Sequence, residues 1–265
     1  MYFSLKVAME DLQPELSIII PIYHSSQRVV DTCESLLSQK GVRWEAVFVD
    51  AGVELHASEI IKSYQDKRLR VQALTQGSLY ALMNRGVLMA QGEYVNLLLE
   101  GCTYLSPSTL AVALQSIREQ KEPDLFYTAS YVGDNSGNWH LYYTLDWASM
   151  LKKGFQPALL QSCFFKTSMF KKLGLFDQNL DRRGALDFFA RLYIHPEVRV
   201  ASEMRVYVEM NQFPRQLLGL WVIFKETYKV IYHHFGLRAV LKLIFSKQTL
   251  AAFLRRYPLD LVIPG

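Results

Sequence analysis

Two acids of this chain stand directly after apolar runs that have the length of buried strands. Asp50 follows residues 44–49, and Glu100 follows residues 94–99. In open α/β sheets, ligands bind beyond the carboxyl ends of the strands, so both carboxylates are candidates for one ligand site. Glu100 could join the oxygen shell of a divalent cation. Asp50 could contact a base or a ribose, and a role in capping the turn that follows is its equally weighted alternative.

A second group of polar side chains lies in the last third of the chain. Arg182 and Arg183 precede a predicted helix over residues 184–193, and their guanidinium groups could bind a diphosphate. Within that helix, Asp187 could accept a proton from a substrate hydroxyl, or it could pair with Arg191 one turn later. We favour the ion pair for Asp187.

Strand and helix patterns alternate through the first half of the chain and are joined by short connections. Such alternation predicts a mostly parallel, doubly wound α/β sheet with helices on both faces. Residues 77–92 carry apolar side chains at helical spacing, and we expect Gly92 to end this helix in the left-handed conformation. The predicted strands cover residues 16–23, 44–49, 69–72, 94–99 and 125–129, and further helices begin near residues 25, 58 and 106.

The pattern changes after residue 129. A cluster of turn residues at 134–137 predicts a β-hairpin over residues 131–143. Its aromatic side chains are expected to pack across the two strands, with stacking on an acceptor as the alternative. Residues 198–210 are predicted to be rich in strand.

The composition limits the classes of function without identifying one. The 265 residues carry a net charge of +4, which fits a phosphate-bearing ligand or an anionic membrane surface. No basic motif supports nucleic-acid binding. Cys33, Cys102 and Cys163 show neither disulfide nor zinc-site spacing, so a reducing cytoplasmic location is expected. We see no signal-peptide pattern and no apolar run near the ~20 residues that a membrane-spanning helix needs.

A resemblance to a known family is carried by residues 77–104, GSLYALMNRGVLMAQGEYVNLLLEGCTY. This stretch resembles the middle of a family 2 glycosyltransferase with the GT-A fold, in the branch whose helix begins G-I-Y-D-A-M-N-K-G. The runs S-I-I-I-P-I-Y at 17–23 and W-E-A-V-F-V-D at 44–50 also match the family. The matching residues of the first stretch are Gly77, Tyr80, Met83, Asn84, Gly86, Ala90, Gly92, Glu93 and Tyr94.

The resemblance implies transfer of a sugar from a UDP- or GDP-linked donor to a glycan or a lipid-linked acceptor. On the donor side it implies contacts from Pro21, Tyr23, Asp50, Gly77, Tyr80, Asn84 and Glu100. On the acceptor side it implies Gln161, Arg182 and Arg183, with Asp187 as the remaining candidate for the catalytic base. It also implies an Mg²⁺ or Mn²⁺ ion held by a D-x-D pair, for which only Glu100 remains, beside Gly101 and Cys102.

Several positions depart from the family pattern where that pattern carries chemistry. Ala51 replaces an acid, Gly101 and Cys102 replace the metal-binding aspartates, Leu160 replaces a histidine, and Ala185 replaces the aspartate expected as base. We expect these positions to converge on one cleft. Three hypotheses follow: a working sugar transferase, a non-catalytic glycosyltransferase-like domain that binds a nucleotide, a glycan or a partner transferase, and a lipid-surface interaction protein.

The last fifty residues differ in composition from the sheet-forming part. Cations recur through residues 214–257 among aromatic side chains, and Glu226 is the single acid there. This pattern predicts an amphipathic module on an anionic membrane surface or, alternatively, a helical tail packed on the sheet; the resemblance favours the membrane. The predicted domains are a GT-A domain over 1–213, with a nucleotide-binding half 1–130 and an acceptor half 131–213, and a helical tail 214–265. We expect a cytoplasmic protein, peripheral to the inner membrane face.

Overall fold

The computed structural model of the chain describes residues 13–22, 26–52, 56–74, 77–133, 137–210 and 220–245. Tyr23, the hairpin turn at 134–136, and the tail residues 214–219 and 246–257 therefore lie outside the described residues. The strands are β1 (Leu16–Ile22), β2 (Trp44–Asp50), β3 (Leu69–Ala73), β4 (Tyr94–Leu97), β5 (Cys102–Tyr104), β6 (Leu125–Gly133), β7 (Trp139–Tyr142), β8 (Cys163–Lys166) and β9 (Val200–Met210). The helices are α1 (Ser26–Leu37), α2 (Ala57–Ser63), α3 (Leu79–Met89), α4 (Thr109–Glu119), α5 (Trp147–Lys152), α6 (Thr167–Leu173), α7 (Gly184–Ile194) and α8 (Leu220–Phe245).

All nine strands belong to one sheet, in the order β3-β2-β1-β4-β8-β6-β9-β5, with β7 paired to β6. The pairs among β1 to β4 are parallel, as predicted, and so is the pair β6 with β9. Strand β8 runs antiparallel to both β4 and β6. Strands β1, β2, β4 and β6 therefore point the same way, and their carboxyl ends share the edge where α/β sheets bind ligands.

The predicted hairpin is confirmed, because β6 and β7 pair antiparallel. The rings of Tyr131 and Trp139 meet edge to face across it, with centroids 6.5 Å apart. The strand-rich prediction for residues 198–210 is also confirmed by β9. Strand β4 is shorter than predicted, since it ends at Leu97. Residues 98 and 99 follow the strand and stay buried, and the N–H of Leu98 still donates to the carbonyl of Ile19 at 3.0 Å.

Helix α3 packs directly onto β1 and β2 through a position without a side chain. Gly86 faces the sheet, and a Cβ atom placed there would lie 2.1 Å from Cγ2 of Ile19 and 3.3 Å from Cγ2 of Val49. Both strands are completely buried in this region. The glycine therefore sets how closely α3 approaches the sheet, and with it the position of every side chain on the inner face of α3.

The expectation that Gly92 ends α3 in the left-handed conformation is wrong. The helix ends at Met89, and Gly92 does not have a positive φ. Position 92 requires glycine because a side chain would not fit: a Cβ atom there would lie 2.6 Å from the backbone nitrogen of Ser17. The hydroxyl of Ser17 accepts the N–H groups of Gln91 and Gly92 and donates to buried Glu45. This network fixes the entry into β4.

The described part of the tail is helical and is packed against the sheet domain. Helix α8 contains one break, at Gly236, where φ is 76° and ψ is 177°. It lies against α7, and Thr227 and Leu243 fill the space beside Gly154. Among the described residues, no helix has the length and apolarity needed to cross a bilayer.

Replacing Gly86 with alanine tests the close approach of α3. Alanine normally stabilises a helix relative to glycine by ~0.5–1 kcal/mol. Here the added methyl group collides with Ile19, so we expect Gly86→Ala to lower the free energy of unfolding by roughly 1–3 kcal/mol. Urea unfolding measures the change, with Arg85→Ala on the exposed face of α3 as the control. Stabilisation by Gly86→Ala would contradict this packing.

Candidate functional site

Tyr80, on the inner face of α3, fixes the start of α7 at the carboxyl edge of the sheet. Its hydroxyl accepts the N–H of Ala185 at 3.0 Å and donates to the carbonyl of Arg182 at 3.4 Å. A Cβ atom at Gly184 would lie 2.7 Å from the Tyr80 ring, so the backbone of α7 sits directly on that ring. Burial raises the pKa of Tyr80 far above its ordinary value, which keeps the hydroxyl protonated.

Asn84, one turn after Tyr80, holds the segment that leads into α7. Its amide donates to the carbonyl of Phe176 and accepts the N–H of the same residue, both at 2.9 Å. The Phe176 ring stacks on Tyr80, with centroids 5.5 Å apart. Tyr80 and Asn84 share one helix face because they are four residues apart. The hydrogen-bond partners of both side chains are backbone groups of residues 176–185. The contact with a nucleotide that the resemblance implies stays a prediction.

Glu226 of α8 provides the third support of this region. Its carboxylate accepts the backbone N–H groups of Asp181, Arg182 and Arg183 at 2.8, 2.8 and 3.0 Å. The side chains of Glu226 and Arg183 are only 7% and 1% exposed. We missed this role from sequence, although the single acid among the tail cations was the signal that could have revealed it.

A small cavity of about 20 Å³ lies between α3, α7 and the 3₁₀ turn Leu160–Ser162. Two of the three residues predicted for the acceptor side, Gln161 and Arg182, meet on its wall. The side-chain nitrogen of Gln161 is buried and has no hydrogen-bond partner among the described residues. The cavity has room for about one water molecule. Its lining is Leu79, Tyr80, Met83, Leu99, Gln156, Leu159, Leu160, Gln161, Arg182 and Ala185.

We expected the positions that depart from the family pattern to converge on one cleft, and this expectation is only half right. Leu160 and Ala185 do line the same cavity. Cys102 does not, because its side chain is 0% exposed and points into the core. The chain turns at Gly101, where φ is +82°, and β5 then begins with Cys102 facing inward. Ala51 also lies away from this cavity.

Asp187 is engaged on both sides of its carboxylate. Arg191 donates to one oxygen at 3.0 Å, so the i,i+4 ion pair is confirmed. His234 of α8 lies 2.7 Å from the other oxygen. Burial alone would raise the pKa of Asp187, but these two partners outweigh it and hold that pKa below its ordinary value. The carboxylate ties α7 to α8, and its candidacy as a base stays untested.

The donor-side candidates lie along the ends of β1, β2 and β4. Pro21 is within β1, and Asp50, the last residue of β2, accepts the N–H of Gly52 at 2.8 Å through one carboxylate oxygen. This is the turn-capping contact that we gave as the alternative for Asp50. Glu100 follows β4 and is 6% exposed. Gly77 precedes α3.

The residues after β4 do not fit an Mg²⁺ or Mn²⁺ ion. Burial raises the pKa of Cys102 to about 12, so its thiol stays protonated and turned away from any ligand. Glu100 is then the one carboxylate left of the expected pair, and a hard cation needs several oxygen ligands. Within the part of the chain that the structure describes, no group of three or more His, Cys, Asp or Glu side chains is placed to hold a metal.

A larger groove, of about 650 Å³, lies at the opposite edge of the sheet. Three of its cations are paired: Arg43 with Glu15 at 3.6 Å, Arg68 with Asp66 at 2.7 Å and Arg70 with Glu45 at 2.6 Å. The Arg68 guanidinium also covers the ring of Trp44. Because the groove lies at the amino ends of the strands and three of its cations are already paired with acids, its size does not make it the ligand site.

Comparison with known proteins gives three findings. The family model described as Glycosyl transferase family 2 matches residues 17–171. The glycosyltransferase GlyG of Streptococcus pneumoniae is 28% identical over 133 residues, which is 49% of this chain and 44% of GlyG. A PGL/p-HBAD biosynthesis glycosyltransferase of Mycobacterium tuberculosis is 25% identical over 203 residues, covering 76% of this chain and 78% of that protein.

Among solved structures, Staphylococcus aureus TarS residues 1–349 in complex with UDP-GlcNAc superpose with a TM-score of 0.68. The identity is 19%, over 92% of this chain and 72% of that one, so the likeness concerns the fold. It agrees with the GT-A fold predicted from the sequence. The matched part of this chain spans less than half the length of GlyG.

Removing the carboxylate of Glu226 tests the support of the α7 loop. Glu226→Ala leaves three backbone N–H groups without their acceptor, so we expect a loss of roughly 2–4 kcal/mol in the free energy of unfolding. Amide exchange of residues 181–185 should speed up, and Glu226→Gln, which keeps one acceptor oxygen, should fall between. Lys225→Gln, its exposed neighbour, is the control. Unchanged exchange at residues 181–185 in Glu226→Ala would refute the role.

Proposed function

This chain belongs to glycosyl transferase family 2, and we propose that it takes a sugar from a nucleotide-diphospho-sugar and transfers it to a glycan or a lipid-linked acceptor. The observation that carries the proposal is the family match over residues 17–171, on a sheet whose strands β1, β2 and β4 end at one edge. The binding of UDP-GlcNAc by TarS supports a nucleotide-sugar donor. The name of the mycobacterial relative supports a role in polysaccharide or glycoconjugate synthesis.

In this proposal the donor and acceptor sides are built by different parts of the chain. Pro21, Asp50 and Glu100 stand at or near strand ends on the donor side. Gln161 and Arg182 are the candidates for the acceptor side, and they meet on the wall of the small cavity beside α7. Tyr80 and Asn84 link the two sides, because they lie on α3 and bond to residues 176–185.

A second candidate function is binding of the same ligands without turnover, as a partner of an active transferase. Two observations favour it. Ala185 stands on the cavity wall at the position where the family resemblance expects the base. Asp187, the nearest alternative acid on α7, is already held by Arg191 and His234.

The exposed side chains of α8, from the two helical segments that meet at Gly236, support contact with an anionic membrane, where a lipid-linked acceptor would lie. Trp221 and Phe245 are 78% and 79% exposed, and Tyr232, Leu237, Leu241 and Ile244 are exposed as well. The cations Lys225, Lys229, Arg238 and Lys242 are interleaved with them and are also exposed. Glu226 faces inward, so this face carries no acid among the described residues of α8. Such a surface suits the interface of an anionic bilayer at the inner membrane face.

Two measurements on the full chain, calorimetry of nucleotide binding and an assay of turnover, together separate the two candidate functions. We expect UDP or GDP to bind, and ADP, a diphosphate with a different base, to bind more weakly. Release of the nucleotide from its sugar donor in the presence of an isoprenyl-diphosphate-linked saccharide then measures turnover. Binding with turnover supports a transferase, and binding without turnover supports the non-catalytic partner. A folded chain that binds neither UDP nor GDP would contradict both functions.

Reversal of charges on α8 tests the membrane surface in the intact chain. Each cation near an anionic membrane contributes ~1 kcal/mol, so Lys229→Glu with Arg238→Glu should weaken binding to phosphatidylglycerol vesicles at least about tenfold. The control pair, Lys40→Glu with Lys62→Glu, reverses two exposed cations elsewhere and should leave vesicle binding nearly unchanged. Co-sedimentation measures both, and equal losses in the two pairs would exclude a specific role for α8.

A further inference from the structure

Four neighbouring strands, in the order β5-β9-β6-β7, carry a row of aligned side chains on one face of the sheet. The register aligns Thr103 with Glu209, Glu209 with Tyr131 and Tyr131 with Leu141. Directly aligned residues of neighbouring strands point to the same face. Trp139 lies on this face as well, because it stands two residues from Leu141 in β7. We call these five residues the aromatic row.

The face that carries the aromatic row is open to solvent, whereas the opposite face is covered. Tyr131, Leu141 and Trp139 are 40%, 45% and 49% exposed. On the opposite face, the aligned residues Cys102, Met210 and Val132 are buried. Groups of exposed apolar side chains at the surface of a folded chain mark binding surfaces more often than isolated ones do. The aromatic row is therefore a candidate binding surface.

The two aromatic rings of the row are held in a fixed arrangement. Tyr131 and Trp139 meet edge to face, with an interplanar angle of 69°. Each ring supports the other, so little side-chain freedom remains to be lost when a ligand covers them. About half of the Trp139 side chain stays available for contact.

The polar end of the row favours a ligand that carries hydroxyl groups. Thr103 donates to one oxygen of the Glu209 carboxylate at 3.2 Å. A carboxylate accepts several hydrogen bonds and donates none, so Glu209 can accept further hydroxyl donors. Glu209 is the charged member of the row, and Arg205, the one cation of β9, is paired with Glu203 at 2.9 Å. A negative charge beside aromatic rings suits neither an anionic bilayer nor an acidic partner.

The row is continuous with the carboxyl edge at which the ligands are expected. Tyr131 and Glu209 lie near the ends of β6 and β9, two strands that run parallel to each other. Thr103 lies three residues after Glu100, a donor-side candidate. From β5 to β7 the row crosses three strand spacings, or about 14 Å. It therefore extends outward from the end of β4 and has room for more than one sugar ring.

We propose that the aromatic row binds the saccharide part of the acceptor, a chain of several neutral sugar rings. This proposal rests on the proposed function and names the class of its acceptor. The C–H faces of the sugar rings stack on Trp139 and Tyr131, because C–H groups carry a slight positive charge and the faces of aromatic rings are negative. Hydroxyl groups of the same chain donate to Glu209 in charge-assisted hydrogen bonds.

Calorimetry on the full chain tests the proposal, with β-1,4-linked tetramers of glucose and of N-acetylglucosamine as probes and the two monosaccharides for comparison. We expect a tetramer to bind at least about tenfold more tightly than its monosaccharide. Trp139→Ala should weaken tetramer binding at least about tenfold, the scale of a central stacked tryptophan. Trp139→Phe, which keeps an aromatic ring, should lose less. Trp221→Ala, which removes an exposed tryptophan of α8, is the matched control and should bind normally.

A variant of the carboxylate distinguishes a saccharide from an apolar partner. Glu209→Gln keeps an acceptor oxygen but loses the charge, so we expect it to bind the tetramer several-fold more weakly. An apolar partner would bind this variant as well as the unmodified chain or better. Unchanged or tighter tetramer binding by Glu209→Gln would overturn the hydroxyl contacts that we propose.

Two further results would overturn the proposal. One is an unmodified chain that binds neither tetramer. The other is Trp139→Ala that keeps its tetramer affinity but loses a dimer in analytical ultracentrifugation or loses vesicle binding, which would assign the row to a second copy or to lipid.

Binding of UDP or GDP is measured separately and tests the proposed function. Trp139→Ala should bind the nucleotide as the unmodified chain does. Nucleotide binding without tetramer binding would refute the saccharide row and leave the proposed function standing. Tetramer binding that Trp139→Ala weakens, in a chain that binds neither nucleotide, would support the row as a saccharide site and refute the transferase function.

Discussion

The backbone N–H groups of the three residues before α7, Asp181, Arg182 and Arg183, need hydrogen-bond acceptors. The position of the segment that leads into α7 depends on the acceptors that they find. Buried backbone donors must find acceptors, and here one carboxylate, Glu226, accepts all three. The N–H of Ala185, in the first turn of α7, donates to the hydroxyl of Tyr80 on α3. The cavity at the carboxyl edge therefore depends on α3 from the first half of the chain and on α8 from the tail.

This arrangement changes how the tail is understood. The two sequence-based alternatives, a membrane-facing module and a helix packed on the sheet, concern different side chains of α8, whose two helical segments meet at Gly236. The inner face of α8 carries Glu226 and His234, which bond to residues 181–183 and to Asp187. The outer face carries the exposed aromatic and basic side chains. The packed face is part of the structure, and the membrane contact of the outer face is a proposal.

On the proposed donor side the constraint is a different one, the balance of charge at the end of β4. A diphosphate needs positive charge close by, and two kinds of source can supply it: a metal held by carboxylates, or a fixed guanidinium. The buried thiol of Cys102 removes one side of the first arrangement. The aliphatic stem of Arg28 packs on Gly101 at the same turn.

The sequence by itself determined the features that rest on short-range patterns. Apolar runs gave β1, β2 and β4, turn residues gave the hairpin, and a four-residue spacing gave the pair of Asp187 with Arg191. Only the tertiary structure decided which way Cys102 faces, why Gly92 is a glycine, and what Glu226 and Tyr80 bind. Those contacts join residues 43 to 105 positions apart, and no local spacing encodes them. They arise because burial leaves polar groups no water, so the partner is whichever acceptor the packed chain brings within reach.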